Sequence, residues 1–286
     1  MSRGRSRRTL DLIAAARDIL SLINPATVRA VCYKLFTAQL IASMAKRETD
    51  KISRILTVAR ENDEIPWTWI VDETREAEYV AAWDNPQDYA RTIINSYRRD
   101  FWSQQRIRPE VWSEKGTVRG TVAPVFEEYG VTFRVMHGYS SFSALRQIAE
   151  ETANDPRIVL YVGDWDPSGL HMSEVDLPHR LAKYGANITM LRGALTQADI
   201  ANRGLPGFAA ETKRGDPRYG WFVRNRGHRC VELDALDPNV LRARVEHFVR
   251  SQIDFAIWDR CKAVEQAEHR SLVEVMESWR APEAAP

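Results

Sequence analysis

The chain has 286 residues, 44% hydrophobic and 28% charged, with a formal net charge of +1. This is the composition of a soluble globular protein with room for one large domain or two ordinary ones, and no apolar run approaches the length of a membrane span. The basic opening MSRGRSRRTL has no apolar stretch behind it, so it does not read as a secretory signal, and Cys32, Cys230 and Cys261 lack metal-ligand spacing and suit a reducing, cytoplasmic setting.

Residues 10 to about 108 read as mostly helical. An amphipathic stretch from Leu10 to Leu22 ends at Asn24-Pro25, a second helix is expected from Ala26 to Ile41, and a third from Thr49 to Asn62. Ile65 to Val71, rich in aromatic and β-branched residues, suits a short strand or wing, and another helix is expected from Pro86 to Trp102. Helices followed by a short β element are the layout of a winged helix-turn-helix. Arg3, Arg5, Arg7 and Arg8 crowd the N-terminus, and Arg91, Arg98, Arg99, Arg106 and Arg108 follow the mid-chain helix. Such clusters suit phosphates, though solvated helix faces and a frayed tail explain either cluster equally well.

From Glu110 onward strands and helices alternate. Strands are expected at Val111–Ser113, Val131–Met136, Arg157–Gly163, Asn187–Leu191 and His228–Leu233. Helices are expected at Val118–Tyr129, Ser141–Ala153 and Leu170–Tyr184, with a long helical region from Pro238. The apolar run IVLYV has the character of a buried parallel strand. The expected fold class is α/β: a helical domain over residues 1–108, then a mostly parallel sheet with C-terminal helices over 109–286. Ligands of such sheets gather at the carboxyl ends of the strands.

One of those ends carries Asp164-Trp165-Asp166-Pro167-Ser168-Gly169. Residues i and i+2 of an extended segment point the same way, and Pro167 favours extension at Asp166. Two carboxylates so close repel, and a hard cation such as Mg²⁺ relieves the repulsion. The competing explanation is a strand-ending turn. Glu114, at the end of the first expected strand, would lie on the same edge, as a third metal ligand or as a general acid or base.

With the glutamate after the first strand and the D-x-D after a later one, residues 110 to 195 resemble the Toprim domain. The form D-x-D-P-x-G is most similar to the A subunit of topoisomerase VI and its meiotic double-strand-break relatives. The resemblance implies Mg²⁺ held by Glu114, Asp164 and Asp166, and a Rossmann-like fold preceded by a winged-helix domain carrying a nucleophilic tyrosine. Thr27-Val28-Arg29-Ala30-Val31-Cys32-Tyr33 resembles the family's tyrosine motif, with Cys32 standing where an aromatic residue is usual. The resemblance further implies double-stranded DNA as substrate, 5′ covalent attachment, and a homodimer in which the tyrosine of one protomer meets the metal site of the other. An ATPase B-type subunit, absent from this chain, would be separately encoded, unless the protein belongs with the stand-alone A-like members.

The helix around Tyr33 can be read on its own. Val28, Val31, Cys32 and Leu35 define a buried face. At about 100° per residue Tyr33 lies roughly 140° from the centre of that face and Arg29 roughly 100°, so both are expected away from the core. A surface tyrosine stacked on an arginine is the plain alternative. Arg60, Asp72, Glu73 and Arg75 flank the wing-like segment and read as solvated charges. Glu232-Leu233-Asp234 repeats the acidic i, i+2 spacing and reads as further ligands or, more ordinarily, as solvated residues. His137 and His171 read as structural. Three functions remain open: tyrosine-dependent DNA cleavage, a Toprim nuclease with water as nucleophile, and a non-catalytic winged-helix DNA-binding protein.

Overall fold

The computed structural model describes residues 5–71, 80–136, 142–201 and 204–279. Arg3, Asp72, Glu73, Arg75 and His137, weighed above, lie outside them.

Helix α1 (Arg7–Ile23) starts at Ser6, whose hydroxyl accepts from the Thr9 amide, and leads into a two-residue strand β1 (Ala26–Thr27). Helix α2 (Val28–Thr37) is capped by Thr27, which accepts from the Ala30 amide at 2.9 Å. Helix α3 (Lys46–Glu61) is followed by a 3₁₀ turn at Trp67–Trp69 and a two-residue strand β2 (Ile70–Val71). The expected strand or wing over 65–71 is therefore mostly a turn, and β2 pairs in parallel with β1. Helix α4 (Pro86–Ser96), with Asn85 as cap and proline in its first turn, ends before the expected Trp102; a separate 3₁₀ turn covers Phe101–Gln104.

Strand β3 (Arg108–Ser113), helix α5 (Thr117–Tyr129), strand β4 (Thr132–Val135), helix α6 (Phe142–Thr152) and strand β5 (Arg157–Val162) follow. The helix expected over 170–184 is in three pieces: α7 (Pro167–His171), a π turn at Met172–Asp176, and α8 (Leu177–Lys183). Pro178, with no amide hydrogen to return to the ladder, accounts for the widened turn before it. Strand β6 (Ile188–Ala194), helix α9 (Gln197–Ala201), strand β7 (Phe208–Ala209), helix α10 (Tyr219–Arg226), strand β8 (Arg229–Cys230), helix α11 (Pro238–Ser251) and helix α12 (Phe255–Ser278) complete the order.

The main sheet is parallel, in the order β4-β3-β5-β6, which makes the class α/β. β7 and β8 form a separate antiparallel pair, so the strand expected over 228–233 is shorter and outside the main sheet. Contacts group the chain into two units, Met1–Glu73 with Pro109–Ser251, and Thr74–Arg108 with Gln252–Pro286. The chain passes between the units after Glu73, Arg108 and Ser251, so α11 lies in the first and α12 in the second.

In the first unit, Leu20, Leu35, Ile52 and Leu56 of α1, α2 and α3 form one fully enclosed cluster. Each such side chain contributes about 2 kcal/mol. A second cluster, including Trp112, Val159, Tyr161, Leu145 and Met172, fills one side of the main sheet. In the second unit, Trp258 of α12 packs edge-on against Phe101 and Trp102, and Arg99 pairs with Glu268 at 2.5 Å. Arg108 likewise pairs with Asp100, and Arg91 with Asp88. Arg91, Arg99 and Arg108 of the mid-chain cluster therefore bind carboxylates. Among the described residues no helix is long and apolar enough to cross a membrane.

Candidate metal centre

Parallel strands deliver their carboxyl ends to one edge, and β3 and β5 are the central strands of the sheet. Glu114 directly follows β3; Gly163 and Asp164 directly follow β5. Asp166 is the cap of α7, its Oδ1 accepting from the Gly169 amide at 2.8 Å. The turn needs its glycine: a Cβ at Gly169 would sit 2.7 Å from the Asp164 carbonyl oxygen. The D-x-D-P-x-G spacing is thus a strand end and a capped helix start folded tightly onto one another. Trp165, between the two acids, is pinned by reciprocal backbone bonds with Val231 of 2.8 and 3.0 Å.

Asp164 and Asp166 are buried, at 8% and 7% exposure, and Glu114 is half-buried. Burial, then the charges of Asp164 and Asp166, push Glu114 up to about 7, against the pull of Lys115 and Arg192. Burial likewise raises Asp164, partly offset by Lys115. The charges of Asp164 and Asp166 therefore act on Glu114. Around them lie two ammonium groups. Lys115 Nζ is 2.8 Å from Asp164 Oδ1 and 3.0 Å from Asp234 Oδ2, and Lys213 Nζ is 3.3 Å from Asp166 Oδ2. Burial works against the charge of Lys115, but Asp164 and Asp234 outweigh it and hold the lysine above its ordinary value.

The donor set suits Mg²⁺. All three expected ligands offer carboxylate oxygen, and their mutual repulsion is what a divalent cation relieves. The Tyr161 hydroxyl, at the end of β5, is wholly buried without a hydrogen-bond partner. Among the described residues no three of the Asp, Glu, His and Cys side chains are drawn together in a finished ligand cage; the lysines neutralise the acids instead.

Tyr33 differs from expectation. It is 6% exposed, and its hydroxyl donates to Glu232 Oε2 at 3.4 Å. Arg29 grips the same carboxylate, Nη2 lying 2.6 Å from Oε1 and Nε bonding Oε2. Burial, then the Glu232 charge, raises the phenol well above its ordinary value, and Arg29 opposes the shift only in part. The helical wheel correctly put Val31, Cys32 and Leu35 in the core, but α2 is covered on a second side. Glu232 and the turn Leu233–Ala235 pack there, and Lys34 bonds Asp237 at 2.5 Å.

Glu232 and Asp234, more ordinarily expected in solvent, are thus engaged. Thr27 Oγ1 donates to Asp234 at 2.6 Å, while the Leu233 amide donates to Asp164 Oδ1 at 2.7 Å. One short segment therefore joins the tyrosine to the acids. Lys115, Arg192 and Lys213 were not singled out from the sequence; only the adjacency of Lys115 to Glu114 offered a signal. His171 lies edge-on to Trp221, a packing contact. Compared with known proteins, the chain matches no family model and no curated sequence.

Proposed function

We propose that this chain cleaves DNA strands with Mg²⁺, which Glu114, Asp164 and Asp166 hold, and that Tyr33 supplies the attacking oxygen. The observation that carries the proposal is three carboxylates set just beyond the carboxyl ends of β3 and β5 in a parallel sheet, where burial, then the charges of Asp164 and Asp166, raise Glu114 to about 7. A nucleic-acid partner is supported by α3, which presents Lys46, Arg47, Lys51 and Arg54 to solvent on one helix of the proposed winged-helix region.

When bound, Mg²⁺ offsets the negative charge of the phosphate under attack. Tyr33 gives its proton to Glu232, the carboxylate it already touches, and its oxygen bonds to phosphorus. The bond from phosphorus to the 3′ oxygen breaks, that oxygen takes a proton from solvent, and the 5′ phosphate stays on the tyrosine. Arg29, bound to Glu232 and 6.0 Å from the Tyr33 ring centroid, supplies positive charge beside the developing phenolate. Resemblance implies that the tyrosine acts at a partner protomer's metal site; Tyr33 is buried in its own protomer and has to be uncovered together with Glu232 before it reacts.

That burial favours a second reading, a Toprim nuclease in which water attacks and Tyr33 is structural. Incubating the protein with end-labelled supercoiled DNA and Mg²⁺, then quenching with denaturant, separates the two. A protein-linked 5′ end, lost in Tyr33→Phe, establishes the tyrosine reaction. Free ends, kept in Tyr33→Phe and lost in Asp166→Ala, establish the nuclease. Absence of any cleavage, also with a separately encoded ATPase subunit added, defeats both.

A further inference from the structure

We infer that Arg192 is a positioning residue for the acidic site, fixing the backbone from which Asp164 and Asp166 project; the inference rests on the metal-binding reading above. Arg192 lies near the end of β6, where the strand is irregular. Tyr161 pairs with Arg192 and Val162 with Ala194, leaving Gly193 as an extra residue. A Cβ at Gly193 would lie 2.5 Å from Leu160 Cγ, so only glycine lets β6 keep this close approach. Bulges of this kind redirect neighbouring side chains.

The redirected guanidinium spends its donors on the D-x-D turn. Nη2 bonds the carbonyl oxygens of Gly163 at 2.9 Å and Asp164 at 2.6 Å. Nη1 bonds Ser173 Oγ in the π turn at 2.9 Å, and Nε bonds the Leu195 carbonyl at 3.0 Å. Its carbon also lies 5.7 Å from the Trp165 ring centroid. One planar group therefore ties the end of β5, the residue between the two aspartates, the π turn and the loop after β6. A lysine could reach one of these acceptors but not hold all four at fixed angles.

Arg192 forms no direct ion pair among the described residues; Glu174, Asp164 and Asp166 act on it only at longer range. This separates two roles. As a simple counter-charge it would compete with a divalent cation, and removing it would tighten metal binding. As a clamp on the ligand-bearing backbone, its loss weakens metal binding even though a positive charge has gone.

The test is Mn²⁺ affinity of the full chain by titration calorimetry, with circular dichroism melting as the check on folding. Arg192→Lys and Arg192→Gln should both bind Mn²⁺ roughly 10- to 100-fold more weakly than wild type, the usual cost of losing an outer-shell partner. Unchanged binding in Arg192→Lys, or tighter binding in Arg192→Gln, overturns the inference and leaves the metal site standing. Should wild type itself bind no Mn²⁺, the metal reading falls and this inference with it. Where both arginine variants fail to fold, Ser173→Ala decides. It removes one acceptor without burying a charge, and an affinity equal to wild type overturns the clamp, whereas a loss of about threefold or more supports it.

Discussion

Lys115 Nζ lies 2.8 Å from Asp164 Oδ1, so the residue after one expected metal ligand neutralises another. The same nitrogen reaches Asp234, making Lys115 the sole bridge by ion pairing between those two acids among the described residues. Removing one partner of a largely buried pair strands the other's charge. Lys115→Met should therefore cost about 3 kcal/mol in urea unfolding without metal. Mg²⁺ at millimolar concentration should recover more stability in the variant than it adds to wild type, because the ion takes over the role of the lost ammonium. Equal gains in both proteins would show that the lysine and the ion do not share a site.

Glu114 binds its proton more tightly in the folded chain, near pH 7, than at the ordinary glutamate value of 4.5. The stabilising effect is complete below pH 4.5 and is lost as pH rises through 7. Metal-free wild type should lose on the order of 3 kcal/mol across this range relative to Glu114→Gln, which cannot titrate there. Parallel stability-versus-pH curves for the two proteins would contradict the strained-carboxylate description.

The parts of the site written in local sequence were legible. IVLYV announced β5, Pro167 and Gly169 announced the turn, and the strand ends placed Glu114, Asp164 and Asp166 on one edge. What escaped depends on distant segments. Tyr33 looked outward because a helical wheel knows one core, whereas Glu232 and Asp237, about 200 residues away, cover the other side of α2. Arg192 escaped because a bulge sets its direction, and a bulge is a pairing event between two strands. The interleaving of the two units escaped for the same reason: Arg99 meets Glu268 across 169 residues.

Glu110, near the amino end of β3, gives a control remote in role from the acidic edge. It is 2% exposed and accepts from Arg134 Nε at 2.8 Å, Arg157 Nε at 3.1 Å and Trp112 Nε1 at 2.8 Å. Glu110→Gln weakens both ion pairs and should lower stability by about 3 kcal/mol. Mn²⁺ affinity of the protein that remains folded should stay within about twofold, since the variant touches none of the expected ligands. A selective loss of Mn²⁺ binding at unchanged stability would mean that the charge network, not the strand ends, organises the site.

Tyr33 and Glu232 can be tested for packing and chemistry separately. The hydroxyl contact is long, at 3.4 Å, so Tyr33→Phe should change stability by less than about 1 kcal/mol. Tyr33→Ala empties a buried ring site and should cost about 3 kcal/mol or more. Glu232→Gln leaves Tyr33 in place but removes the carboxylate that would take its proton, so trapped 5′ adduct should fall by about 100-fold at neutral pH. Its deficit should shrink as pH rises, because hydroxide can then take the proton instead. A deficit that does not change with pH would reduce Glu232 to an anchor for Arg29, and full adduct formation in Glu232→Gln would remove it from the reaction altogether.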